Sequence, residues 1–373
     1  IESKTGEHIL EVACTENDCA VELRPADYPM LLPVRRCALL SLRRLLREGQ
    51  TDDHETYVQA LSQLICAGAV EMALLETVLF TLADICLDTR LRTSVGRFIS
   101  VKRLFELATT PLDTNNQVYA RLVLCRLTVN STRNANQLLG LRGSSQMLLQ
   151  CAASGLWLDA SRAIAQVLWM AEQAQHVDGG GGATQDLIEG GGVHSVLRLA
   201  AQSIAVEDTL MAAKALNTLC QGDENIQADL LQITAIQSAS SHNAGRRSEE
   251  GSVSHDSLIR TLIKLERNAH AQSRMVYDQH GEVKREIWQA LLSLAAQQRN
   301  HTRLKSDGVG TLCVERCAEN GLAGSQTSEV NSLARQVLLQ IDPGADKKLL
   351  AAAYPATQHA AAQGVVPSPS NIY

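Results

Sequence analysis

Apolar residues recur three and four places apart through most of the chain, in runs divided by short polar stops. That spacing predicts amphipathic helices joined by tight turns. The stretch AAKALNTLCQGDENIQADLLQ, residues 212–232, shows the pattern in miniature. Ala212, Ala213, Leu216, Leu219 and Cys220 share one face of a helix that stops at Gly222. Asp223 is placed to cap a second helix, whose apolar residues Ile226, Leu230 and Ile233 sit at i, i+4 and i+7. Similar phrases occur elsewhere, as ARLVLCRLTVNSTRNANQLLG from Ala120 and QALLSLAAQQRNHTRLKSDG from Gln289.

When each of the longest helical phrases is anchored at its first large apolar residue, the anchors are Leu42, Leu82, Leu124, Val167, Leu216, Leu291 and Leu338. Successive intervals are 40, 42, 43, 49, 75 and 47 residues. The 49-residue interval holds a glycine-rich run, VDGGGGATQ (177–185), expected to be a flexible connector. The 75-residue interval holds SASSHNAGRRSEEGSVSHD (238–256), a polar insertion with little to bury. Removing roughly 30 residues there would restore the cadence, since loops without apolar content are tolerated as insertions.

Each period subdivides alike, into a short helix, often a glycine, a second helix, and then a long third helix. A recurrence of this length is the period of armadillo and HEAT repeats. LIEGGGVHSVLRLA…AAKALNTLCQGDENIQADL (187–230) resembles an armadillo repeat, and RLKSDGVGTLCVERCA (303–318) repeats its glycine turn. The resemblance spans about 36–342 and weakens near the N-terminus, where ICAGAVEMALLET compresses two helices. It implies an all-α right-handed α-solenoid of about six repeats over 34–342, with an N-terminal extension or cap at 1–33 and a C-terminal tail at 343–373.

Composition supports helices and narrows function. Hydrophobic residues make up 45% of the 373 residues but aromatics only 3%, so the apolar mass is Leu, Ala, Val and Ile, which suits close helix packing better than strands. A formal net charge of −6 gives no global basic footprint for nucleic acid. The ten cysteines lie mostly within apolar helical runs, so they read as reduced packing residues of an intracellular compartment (cytoplasm, cytoskeletal assembly or organelle matrix) and not as a secreted disulfide framework. The most apolar stretch, 64–82, is interrupted by Glu71 and Glu76, each costing about 2.5–3.5 kcal/mol at a bilayer centre, which argues against a membrane span. The first residue is Ile, so the stretch reads as a processed or partial chain from which a targeting segment could have been removed.

Chemistry-bearing patterns are sparse. The glycine runs 179–182 and 190–192 lack the Lys-Ser/Thr pair and the preceding strand of a phosphate loop, and read as linker and turn. Cys313 and Cys317, or Cys14 and Cys19, lack the paired ligands of structural zinc, so no metal and no cofactor are expected. No His-based catalytic constellation can be assembled, and an enzyme is not expected. The stretch RRSEEGSVS (246–254) reads as a solvated loop, with phosphorylation of the serines beside its arginines as the alternative.

In an armadillo array the third helices line the concave side. The importin-alpha branch of the family carries Asn at the second x of A-L-x-x-L and Trp four residues earlier, to hold an extended peptide. This chain departs from that ladder: the Asn positions hold Arg44, Asp84, Arg126, Trp169, Thr218 and Ser293, and the Trp positions Leu40, Phe80, Leu122, Ala165, Lys214 and Gln289. Trp288 falls one residue out of phase. A nuclear-import adaptor of that kind is therefore not expected. Trp and Arg are enriched at binding hot spots, so Arg44, Asp84, Arg126, Trp169 and Lys214 are the candidate partner-binding residues, with gap filling between repeats as the competing role for Trp169. The expected function is a non-catalytic protein-interaction scaffold, a subunit of a larger complex holding an extended segment or helix of another protein. The alternative, an RNA-associated helical-repeat subunit of a ribonucleoprotein assembly, would need a continuous basic stripe where these residues supply a broken one.

Overall fold

The protein, analysed as a computed structural model, is described here for residues 37, 39–44, 54–66, 72–110, 114–174, 181–222, 227, 231, 258–272, 279–318 and 325–345. The expected N-terminal extension, the polar insertion at 238–256, the Asp223 cap, Cys14, Cys19 and nearly all of the C-terminal tail lie outside these residues. All regular structure among the described residues is helical. The chain divides into two compact units, Ile1–Leu199 and Ala200–Tyr373.

The first unit begins with a helical segment at 39–44. It continues with α1 (His54–Cys66) and α2 (Met72–Ile85), then α3 (Thr89–Phe98), α4 (Val101–Thr109) and α5 (Thr114–Thr128). Next come α6 (Thr132–Leu139), α7 (Ser144–Ala152), α8 (Trp157–Ala174) and α9 (Gly181–Glu189). Helix α10 (Gly192–Gln202) runs across the boundary. The second unit holds α11 (Val206–Gln221), α12 (Leu258–Gln272), α13 (Gln279–Ala295), a 3-10 turn at Gln298–Asn300, α14 (His301–Ser306), α15 (Val309–Ala318) and α16 (Ser325–Ile341).

The long helices α2, α5, α8, α11, α13 and α16 each close one repeat. All seven anchors are buried, from 0% exposure at Leu42, Leu82, Val167, Leu216 and Leu291 to 4% at Leu338. Burying such a side chain stabilises by about 1.5–3 kcal/mol. Long helices pack side by side, α2 on α5 and α5 on α8 in the first unit, α11 on α13 and α13 on α16 in the second. Because α11 and α13 touch directly, the 75-residue interval leaves the stacking of long helices uninterrupted.

Turns recur with the repeats. Gly143, Gly191 and Gly308 occupy equivalent joints between a first and a second helix, with φ of 86°, 96° and 92°. L-residues with a Cβ are disfavoured in this left-handed region. Of the run at 177–185, expected to be a connector, Gly181–Gln185 belongs to α9, and 177–180 lie outside the described residues. The apolar pair Leu187 and Ile188 is buried and gives the helix its packed face.

Neighbouring repeats also cap one another. The last carbonyls of a helix have no partner within it, and here residues that follow it in the chain, towards the next repeat, supply donors. Asn134 Nδ2 donates to the Leu127 carbonyl at 3.0 Å, Gln227 Nε2 to that of Cys220 at 2.8 Å, and Asn300 Nδ2 to that of Leu294 at 2.9 Å. Arg92 does the same at the end of α2, donating from Nε to the Cys86 carbonyl at 2.9 Å. At helix starts, Asp88, Ser100 and Ser131 accept backbone N–H groups of α3, α4 and α6.

Candidate functional site

The side-by-side long helices of the first unit carry a row of charges of alternating sign. Arg43 Nε donates to Asp84 Oδ2 at 2.7 Å, from the 39–44 segment to α2. From α5, Arg126 donates through Nε and Nη2 to the two Asp159 oxygens on α8, at 3.0 and 3.3 Å, and through Nη1 back to the Ala83 carbonyl of α2. Arg162 adds a further cation 3.8 Å from Asp159. The paired groups are largely shielded, with side-chain exposures of 24% and 14% for Arg43 and Asp84, and 16% for both Arg126 and Asp159. Each pair bridges adjacent repeats, so its charges fix the register of one long helix on the next.

An aromatic and apolar patch adjoins this row. The Arg43 guanidinium stacks 4.5 Å over the Phe80 ring, and Phe80 meets Tyr119 at a centroid distance of 5.3 Å and an interplanar angle of 58°. A guanidinium over a ring contributes about 0.5–1 kcal/mol at an exposed site, so the stack is pre-ordered before anything binds. Leu40, three residues before Arg43, is 44% exposed, and Val118, next to Tyr119 in the sequence, is 42% exposed.

Of the five sequence-derived candidates, Asp84 and Arg126 fall in this row. Arg44 is exposed on the helical segment, one residue beyond the arginine that pairs with Asp84. Trp169 is half-buried on α8. Lys214 belongs to the second unit, on α11, with Nζ 4.0 Å from Glu282 Oε2 on α13. Next to that contact, Asn217 Nδ2 donates to Glu286 Oε2 at 2.8 Å and to Gln289 Oε1 at 3.1 Å.

Sequence reasoning missed Arg43, Tyr119, Asp159 and Asn217. A search for opposite charges one repeat apart would have found Arg43 and Asp84, 41 residues distant. Asn217 lies one place before the family's Asn position, as Trp288 lies one place out of phase, and Trp288 is fully buried in the packing between helices.

Cys86, Cys125, Cys151, Cys220 and Cys313 are buried packing residues. Burial pushes the Cys86 and Cys220 thiols up to about 12, although Arg92 and Arg126 pull against it at Cys86. Such thiols are protonated and unreactive at neutral pH. Among the described residues no three His, Cys, Asp or Glu side chains gather to hold a metal, and no helix is long and apolar enough to cross a membrane.

Neither a family model nor a curated protein matches this sequence. Solved structures do. One engineered protein superposes with a TM-score of 0.51 at 16% identity, covering 99% of this chain and 91% of its own. A designed armadillo repeat protein in complex with the peptide (KR)4 gives 0.44 at 15% identity, over 75% of this chain and 99% of that one. Computationally designed armadillo repeat proteins for modular peptide recognition give 0.46 at 15%, over 76% and 99%. Three-helix repeats with left-handed turns between first and second helices, closed by stacked long helices, make this an all-α, armadillo-like helical-repeat fold.

Proposed function

We propose that the protein is a non-catalytic interaction scaffold, a subunit of a larger assembly, that holds an extended segment or a helix of a partner protein across its long helices. The observation that carries this reading is the Arg43–Phe80–Tyr119 stack, with exposed Leu40 and Val118 on the same helices and Arg43 itself paired to Asp84 in the row of fixed charges. Aromatic and arginine side chains held in one geometry are the anchors that dominate binding energy, because little rotamer entropy is lost when a partner arrives. Arg44, Asp84, Arg126 and Trp169 extend the contact along the first unit, and Lys214 serves a contact on the second. The alternating signs of Arg43, Asp84, Arg126 and Asp159 suit a polypeptide of mixed charge better than a uniformly anionic strand.

The experiment is affinity capture followed by mass spectrometry, comparing the native chain with Phe80→Ala/Tyr119→Ala and with Leu40→Asp, all with and without nuclease. The reading expects a set of proteins, retained after nuclease, that both variants lose while their helical circular dichroism is unchanged. Partners that persist in both variants, or that vanish with nuclease, would contradict it.

A further inference from the structure

A cavity of about 160 Å³ opens between α3 and the joint of α5 with α6. Arg92, Arg97 and Arg133 line it together with the hydroxyl residues Thr89, Thr93 and Ser131, and no carboxylate is among its lining residues. Gly96 also lines it, and the absence of a side chain there is required by packing: a Cβ would come within 2.6 Å of Asn134 Nδ2, the amide that caps α5.

The three guanidiniums are held differently. Arg92 is anchored, with Nε on the Cys86 carbonyl and Nη2 3.5 Å from that of Leu87. A guanidinium has five N–H donors in a rigid fork, so the anchored group keeps donors for a ligand. Arg97 gives Nη1 to Glu55 at 2.9 Å, and Arg133 makes no hydrogen bond or ion pair among the described residues. Among the described residues Glu55 is the one carboxylate ion-paired with any of the three. Burial lowers the Arg92 pKa, Arg162 and Arg126 nearby add to that effect, and Cys86 and Asp159 oppose it. Ser131 accepts the Asn134 N–H through Oγ and keeps its own O–H to donate.

We infer that this cleft is a binding site for a phosphate monoester, a phosphoserine or phosphothreonine side chain of a bound polypeptide being the source it fits. Clustered arginines recognise phosphate through paired, charge-assisted hydrogen bonds, which a carboxylate matches with fewer oxygens and less charge. At about 160 Å³ the cavity has room for a tetrahedral oxyanion. None of the residues in the long-helix row lines the cavity, so this inference stands apart from the proposed scaffold surface.

The test is calorimetric titration of the full chain at fixed ionic strength with an alanine-flanked phosphoserine peptide, its unphosphorylated twin and inorganic phosphate. The expected result is binding of the phosphopeptide and not of its twin, weakened roughly tenfold by either Arg133→Gln or Arg97→Gln, as loss of one charge-assisted contact implies. Tighter binding of the phosphopeptide than of inorganic phosphate supports a phosphorylated partner as the source, and equal binding supports a free phosphate at the same site. Equal affinity for the phosphorylated and unphosphorylated peptides would overturn the inference. So would affinities left unchanged in both arginine variants when circular dichroism shows them folded.

Discussion

The two units answer the same demand, locking each repeat to the next, with different chemistry. In the first, arginine–carboxylate pairs join the long helices themselves, at Arg43–Asp84 and Arg126–Asp159. In the second, contacts between α11 and α13 include the amide of Asn217 on Glu286 and Gln289 and the long Lys214–Glu282 contact. There the most buried arginine–carboxylate pair among the described residues lies instead between second helices, where Arg316 on α15 grips Glu266 on α12 through two bonds of 2.7 and 2.9 Å. That pair is nearly sealed from water, with side-chain exposures of 7% and 0%. Its geometry is as good as that of the pairs in the first unit, and its burial makes each partner far more dependent on the other. Removing one member of a buried pair strands the other charge, whereas a pair with partial access to water can be resolvated.

The largest effect should therefore fall in the second unit. Arg316→Met is expected to cost about 3–5 kcal/mol in denaturant unfolding, and the double variant Glu266→Leu/Arg316→Met to recover most of that loss. A double variant as unstable as the single one would mean that the pair itself, and not the stranded charge, sets the cost. Next come the joints between repeats. Asn134→Ala leaves the Leu127 carbonyl without its buried donor, with an expected loss of about 1–3 kcal/mol. Gly96→Ala pushes a methyl onto the same amide, for an overpacking cost of about 1–3 kcal/mol.

The buried thiols add a pH dependence. Cys86 and Cys220 titrate near 12 when folded but near 9 when exposed by unfolding, so above pH 9 the unfolded state holds fewer protons than the native one. Stability then falls as pH rises from 9 towards 12, by about 1.4 kcal/mol per pH unit for each thiol. Cys86→Ala/Cys220→Ala should flatten that slope in pH-dependent melts. The smallest effect belongs to the first unit's ladder. Asp84→Asn keeps a hydrogen-bond acceptor for Arg43 and removes a part-shielded charge, for an expected loss of about 1 kcal/mol or less in the same unfolding assay.

The parts of the fold set by burial were legible in the sequence. Leucine recurrence fixed the long helices because each anchor has to leave water, and all seven did so. Glycine marked the joints at 191 and 308 because the backbone there is left-handed. The row of ion pairs was not read from the sequence, where Arg44, Asp84 and Arg126 stood only as candidate partner-binding residues. Arg43 and Arg44 are consecutive, and on a helix they point about 100° apart, so apolar spacing alone did not say which one would meet Asp84. The capping amides escaped notice because Asn134, Gln227 and Asn300 sit in polar stops, where an asparagine or glutamine looks like ordinary surface until the preceding helix is folded against it. The arginine cleft was invisible for a similar reason: Arg92, Arg97 and Arg133 converge only when α3 meets the α5–α6 joint.

Nearest-neighbour support between repeats is the central claim, and hydrogen exchange read by mass spectrometry on native protein and Arg316→Met tests it most directly. The account predicts that protection falls most in α12 and α15, less in the adjoining α13 and α16, and least in α2, α5 and α8. A uniform loss of protection along all the long helices would contradict it.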